Sequence, residues 1–439
     1  MMNNLTSMPK IPDELNSFLR IGHTLLIKGD AGTGKTTLAL EILQNFEPVD
    51  CIYFSTKTPP SVLYEYYPWL KGKIVLGPEE MRFLETRQES PERLLNRLRD
   101  QLLKMEHPFL VVDTWDAMAM EMDHKEQLRT AKAIMMTTYV TNGRTILVEE
   151  TKETSFLDFL VDGVVSLSST DVYGEAEAGR VYEDRLERRT AREMELKKLR
   201  GIRISNKKYT FTLEGGRFRS FPPFFEDLSV KPAKIKDPNK ERISSGIRDL
   251  DMIAGGFKKG SFNLFEVEHS VDMRYLQIHA QIAWNAIMNN RSVIIIPSIG
   301  EIYPSKLSKE IVLHRPSTDD FESEIKTLKE IAEKKFDSGH LKNGLVILLG
   351  LDTFINRFGS NKTLTIVEAI INYAQESGTT IIGTIKRGME FLGYITHVAD
   401  SHFVFKDLNN ALVIYGMRPK TGLYAVDIIE KQVKLIPIV

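Results

Sequence analysis

Apolar residues along this chain follow two rhythms. Short unbroken runs (Leu25 to Ile27, CIYFS at 51–55, Leu110 to Val112, RTILVEE at 144–150) read as strands buried on both faces. Between them apolar positions recur at helical spacing, as in Leu38, Ala39, Ile42 and Leu43. Alternating strands and helices predict an α/β fold with a mostly parallel sheet flanked by helices. The pattern returns in the second half. Phe262 to Phe265 read as a strand, Leu276, Ala280 and Ala283 share a helix face, and GLVILLGLDTF (344–354) and TTIIGTIKRG (379–388) read as central strands. ALVIYGMRPKTGLYAVDII (411–429) reads as strand, turn around Pro419 and Gly422, and strand.

Between the halves the composition changes. Pro222, Pro223, Pro232 and Pro238, set among mixed charges, mark a linker. The expected organisation is a first domain over 1–221, a linker over 222–240 and a second domain over 241–439. With 439 residues, 42% hydrophobic and 27% charged, the chain reads as globular with sizeable cores. A formal net charge of -1 offers no global attraction for nucleic acid, so such a contact needs a local patch. The lone Cys51 excludes an internal disulfide and fits a core position in an intracellular protein. MMNNLTSMPKIPDELNSF has no signal-peptide core, and no apolar run approaches the ~18 residues of a membrane span, so a cytoplasmic protein is expected.

The chemistry concentrates after the first strand, where GDAGTGKTT (29–37) precedes a helix. Gly29, Gly32 and Gly34 allow the backbone to curl so that N–H groups from Gly29, Asp30, Ala31, Gly32, Thr33 and Gly34 face phosphate oxygens. Lys35 adds a point charge, Thr36 a hydroxyl for Mg²⁺, and Thr37 continues onto the helix N-terminus. Asp113, closing the run Leu110 to Val112, is the candidate second magnesium residue, with a helix cap as the alternative. ATP and Mg²⁺ are therefore the expected ligands. His269 stands alone, and there is no zinc-spaced cluster or serine nucleophile elbow.

RLERRTAREMELKKLRGIR (185–203) is rich in basic residues. Arg185, Arg188, Arg189 and Arg192 are candidates for docking a protein partner. A nucleic-acid contact, cations reaching a neighbour's phosphate and a solvated surface are the alternatives.

KKLRG (197–201) followed by KKYTFTLEGG (207–216) resembles the end of KaiC-type domains of the RecA superfamily. That resemblance implies that Lys198 and Arg200 reach the ATP of an adjacent subunit, as trans-acting cations do, which makes a homo-oligomer plausible. IPDELNSFLRIGHTLLIKGDAGTGKTTLALEIL is similar to the opening of the archaeal GvpD-like branch, which implies a regulator of gene expression acting through a protein partner such as a transcription activator. The family places a catalytic glutamate after the second strand. Ser55, Thr56, Lys57 and Thr58 occupy that stretch here, so slow hydrolysis is expected, with Glu149, Glu150 or Asp116 as substitutes.

SSGIRDLDMIAGGFKKGS (244–261) resembles the opening phrase of a second KaiC-type domain, which would make two tandem RecA-like domains. Where its phosphate loop should be stands EVEHSVDMRY, without glycine. Side chains there disfavour positive φ, and Glu266, Glu268 and Asp272 are expected to repel phosphates. Asp352 is expected at the counterpart of Asp113, and Arg418 and Lys420 at that of the Lys198 region, where a charged hairpin tip is the alternative. This reads as a pseudo-ATPase domain, with an unrelated α/β domain as the alternative. The favoured function is an ATP-binding regulatory protein. A RadA-like recombination ATPase on single-stranded DNA is the alternative, and a KaiC-type autokinase ranks below both.

Overall fold

The structure is a computed structural model describing residues 11–46, 51–55, 60–70, 81–83, 91–120, 122–173, 188–225, 234–303, 311–317, 320–337, 344–388 and 392–439. Among these residues the chain forms two compact units. One contains the described residues through Tyr173, Arg188–Pro222 and Ile438–Val439, and the other those of Pro223–Pro437. Thr56, Lys57, Thr58 and Arg185 lie outside the described residues, as does the linker segment 226–233.

The first unit's strands are β1 (Thr24–Gly29), β2 (Cys51–Ser55), β3 (Met81–Phe83), β4 (Phe109–Asp113), β5 (Arg144–Glu149), β6 (Gly163–Tyr173), β7 (Arg188–Leu199), β8 (Lys208–Thr212) and β9 (Arg219–Ser220). Its helices are α1 (Asp13–Ile21), α2 (Lys35–Phe46), α3 (Pro60–Tyr66), α4 (Pro91–Leu102), α5 (Trp115–Ala119), α6 (His124–Val140) and α7 (Phe156–Leu160). The sheet order is β3-β2-β4-β5-β1-β6-β7-β8-β9. Strands from β3 to β6 run parallel, and β7, β8 and β9 add on antiparallel. Alternation along β1 splits the core between the two faces. Leu25 and Ile27 pack with Leu38, Ala39 and Ile42 of α2. Leu26 packs with Val112, Leu147, Trp115 and Ile134 on the other face.

The second unit repeats this plan. After a two-stranded ribbon of β10 (Arg242–Ile243) and β11 (Phe257–Lys258) come β12 (Phe262–Val267), β13 (Ser292–Ile296), β14 (Ile311–Leu313), β15 (Leu345–Gly350), β16 (Thr380–Lys386), β17 (Ser401–Leu408), β18 (Ala411–Arg418), β19 (Lys420–Ile429) and β20 (Gln432–Pro437). Its helices are α8 (Arg248–Ala254), α9 (Leu276–Met288), α10 (Phe321–Asp337), α11 (Leu351–Phe358), α12 (Ser360–Ser377) and α13 (Leu392–Val398). The sheet order is β14-β13-β15-β16-β12-β17-β18-β19-β20, strand for strand that of the first unit. Both units are thus α/β, each with a mostly parallel sheet flanked by helices.

Three expectations about the second unit need correction. Helix α9 buries Ile278, Ile282, Ala283 and Ala286, whereas Ala280 is exposed. The β18–β19 turn is confined to Pro419, and Gly422 lies inside β19. Asp352 also does not occupy the position of Asp113. In the ladders Thr24 pairs with Thr145 and Phe262 with Ile381; three residues on, Asp113 pairs with Val148 and Gly350 with Thr384. Gly350 is therefore the counterpart of Asp113, and Asp352 falls in the first turn of α11. The cause is steric: a Cβ at Gly350 would meet the Ser298 amide nitrogen at 2.3 Å, so this strand end has no room for a carboxylate.

In the first unit, α2 is tied to the segment entering the edge strand β9 by a buried charge. Glu41 is fully buried and accepts hydrogen bonds from Arg217 Nε at 2.9 Å and from the Phe218 amide at 3.3 Å; the Arg217 guanidinium also lies 4.2 Å from the Trp69 ring centroid. Removing Arg217 would leave that carboxylate uncompensated. We expect Arg217→Met to destabilise the first unit by about 3 kcal/mol in chemical denaturation, and the Glu41→Leu/Arg217→Met pair to recover most of the loss. A single variant no worse than the double would contradict this role.

Candidate functional site

The loop between β1 and α2 sits at the carboxyl end of the central strand, where open α/β sheets bind ligands. Gly29, Gly32 and Gly34 have φ of 149°, 77° and 96°. A Cβ on Gly29 would lie 2.4 Å from the Leu167 carbonyl oxygen, and one on Gly34 would lie 2.8 Å from the Leu213 side chain. Gly32 has nothing within 4 Å, so only its backbone angle calls for glycine.

Lys35 donates to the carbonyls of Gly29 (2.8 Å) and Asp30 (2.7 Å), which places its amine at the centre of the loop. Thr36 Oγ1 donates to Asp113 Oδ2 at 2.7 Å, although the two residues lie 77 positions apart. The sheet thus brings the two predicted magnesium residues together. A hydroxyl and one carboxylate suit Mg²⁺, which keeps waters and phosphate oxygens for its remaining positions. The glycine cradle, the central amine and this pair fit a nucleotide triphosphate with its metal. Thr37 Oγ1 lies 3.0 Å from Tyr67 Oη.

Sequence reasoning missed Tyr53, which is fully buried on β2 and donates to Asp113 Oδ2 at 2.5 Å. Burial and the adjacent Asp113 push the Tyr53 hydroxyl well above its ordinary ionisation range, so it acts as a fixed donor. Its only sequence signal is its place one strand over from Asp113, with Ser55 pairing beside Asp113 in the ladder.

The catalytic candidates are engaged in several ways. Glu149 ends β5 buried, 3.5 Å from Lys28 and accepting from Ser155 Oγ at 2.9 Å. Burial raises its pKa, partly offset by Ser155 and Lys28. Glu150 is exposed, and its amide donates to Asp116 Oδ2 at 2.6 Å. Lys28 is also fully buried and pairs with Asp158 at 2.6 Å.

The antiparallel strand β7 divides the basic stretch. Arg189 is buried, and Arg192 Nη1 donates to the Gly32 carbonyl at 3.1 Å and its Nε to the Val439 carbonyl at 2.5 Å. Arg192 therefore faces the phosphate loop and does not extend a continuous basic surface. Arg188 begins β7. Lys198 Nζ donates to the carbonyls of Val161 (2.6 Å) and Asp158 (3.0 Å) at the end of α7. Arg200 pairs with Asp162 at 2.7 Å, and Asp162 also accepts from Thr24 at the amino end of β1. Arg200 thus lies at the opposite end of β1 from Lys35, while Lys198 lies level with Leu26 in mid-strand.

In the second unit the counterpart segment has ordinary backbone, with no positive φ between Phe262 and Tyr275. The expected bare negative charge is absent as well, because each carboxylate has a cation. Glu268 pairs with Arg387 at 2.6 Å and Lys406 at 3.1 Å, Glu266 with Arg387 at 3.6 Å, and Asp272 with Arg274 at 2.9 Å. Arg418 donates to the Ala399 carbonyl at 2.6 Å after α13, as Lys198 does after α7. Lys420 begins β19.

Residues 10–218 match the profile of the KaiC ATPase family, and the chain therefore carries a KaiC-type ATPase domain of the RecA superfamily. The particular relatives point the same way. GvpD2 of Halobacterium salinarum is 26% identical, over 95% of this chain and 93% of that one. GvpD1 of the same organism is 30% identical, over 58% of this chain and 50% of that one. The circadian clock oscillator protein KaiC of Parathermosynechococcus lividus is 25% identical, over 60% of this chain and 51% of that one. The chain thus matches nearly all of GvpD2 and about half of the other two. Among the described residues no helix is long and apolar enough to cross a membrane.

The two glycines separate steric crowding from backbone strain. Gly32→Ala should destabilise the first unit by about 1–2 kcal/mol, the cost of a left-handed alanine. Gly29→Ala should cost more, because the Leu167 carbonyl stands in the way. Equal denaturation midpoints for the two variants would refute the close approach.

Proposed function

We propose that this chain is an ATP-binding regulatory protein whose nucleotide state gates its contact with a protein partner. Residues 29–37 hold the phosphates, Lys35 contributes charge, and Thr36 and Asp113 hold Mg²⁺. The observation that carries this reading is the 2.7 Å contact of Thr36 with Asp113 at the mouth of a loop built on three positive-φ glycines. Bound Mg²⁺ would supply electrophilic stabilisation at the phosphates.

Hydrolysis is slow on this reading. Ser55 ends β2 where the family has its glutamate close by, and Glu149 is held by Lys28 and Ser155. The second unit is a pseudo-ATPase scaffold, because its loop has no positive φ and Gly350 stands in the place of Asp113. Arg192 links the loop at Gly32 to β7, which provides a route from nucleotide to the basic strand. Relatives named GvpD support a regulatory role, and a transcription regulator is the partner class proposed. The same relationship supports a cytoplasmic location. Arg200 lies at the far end of β1 from its own loop, which supports assembly of several copies with the Lys198 and Arg200 pair serving a neighbour.

Lys35→Ala should weaken binding of a fluorescent ATP analogue by more than about thirtyfold, the lower end for losing one partner of a charge contact. It should also abolish ATP-dependent retention of partner in pull-downs from native extract. Unchanged affinity together with unchanged retention would eliminate the proposal.

A further inference from the structure

A cavity of about 540 Å³ opens in the second unit and involves neither the β12–α9 segment nor the end of β15. Its lining includes Lys234, Lys236, Arg248 and Lys434, with no carboxylate, and Gln281 of α9. The nearby acids are committed elsewhere. Asp237 binds Arg291 and the Ser244 amide (3.1 Å), and Asp249 accepts from the Leu435 amide at 2.9 Å. Four cations therefore share one concavity whose lining carries no carboxylate, with Asp427 the strand partner of Lys434.

The cavity is built and braced. A Cβ at Gly246 would sit 2.6 Å from the Gln281 carbonyl oxygen, so glycine lets this segment close onto α9. Asn285, one turn along α9, accepts from the Ile235 amide at 2.8 Å and donates to the Ser244 carbonyl at 3.2 Å, fixing the wall that carries Lys234 and Lys236. Gln281 is only 4% exposed and lines the cavity with its side-chain amide. That amide offers both a donor and an acceptor.

We infer that this cavity binds a small molecule carrying two or more phosphates and a neutral polar edge, of the size and class of a nucleoside diphosphate. Phosphates relieve the mutual repulsion of the four cations, and Gln281 reads the polar edge. The volume suits such a ligand. The site is independent of the one in the first unit and of the function proposed for it.

The experiment uses the full chain carrying Lys35→Ala, which removes the key charge of the other loop. Isothermal titration calorimetry with inorganic pyrophosphate at about 0.1 M salt should give a dissociation constant below about 1 mM. Lys236→Ala with Lys434→Ala should weaken it at least tenfold, about 1.4 kcal/mol. Lys326→Ala, an exposed lysine on α10, should have no effect. ADP should bind more tightly than pyrophosphate, and Gln281→Leu should remove that increment while leaving pyrophosphate binding in place. Absence of pyrophosphate binding, equal weakening by Lys326→Ala, or binding of a single-stranded oligonucleotide without pyrophosphate would overturn the inference.

Discussion

A carbonyl oxygen of β6 lies 2.4 Å from where a side chain on Gly29 would begin. That close approach fixes the path of the loop, because the backbone must turn away from β6 immediately after β1. The turn carries Lys35 over the loop's own carbonyls and starts α2, whose Thr36 then meets Asp113 from another strand. Tyr53 completes the arrangement from a third strand. The site is thus a product of sheet order, and its parts come from segments that are remote in sequence.

The second unit shows how little of the fold depends on that chemistry. The same strand order forms around β12 with a loop of ordinary backbone angles. The end of β15 is sealed against the chain leaving β13, where Gly350 packs on Ser298. Asp352 is instead buried in α11, where it accepts from the Ile299 amide at 3.1 Å and burial raises its pKa. Buried carboxylates are tolerated here because basic side chains face them from neighbouring strands, as Arg387 and Lys406 do for Glu268.

Sequence periodicity located the strands and the glycine loop well, because both are local properties. It read the second unit less well for physical reasons that can be named. The sequence puts Asp352 two residues out of register because a strand end and a helix start look alike in LLGLDTF; only the ladder and the crowding at Gly350 separate them. The charge on Glu266, Glu268 and Asp272 was legible, but the partners of Glu268, Arg387 and Lys406, lie 119 and 138 positions away. Arg192 looked like one member of a basic run, yet strand alternation buries Arg189 and turns Arg192 toward Gly32. Tyr53 carried no local signal.

Lys198 finishes α7 with its amine on two main-chain oxygens, and Arg418 does the same after α13. A cation that completes a helix end is already satisfied electrostatically. If Lys198 swings to another molecule's triphosphate, it must strip those oxygens of their donor and loosen the turn just before β6. Docking between copies would then be sensed within the fold that donates Lys198, as fraying near residues 158–161, which is a mechanical signal that travels against the direction of the chemistry.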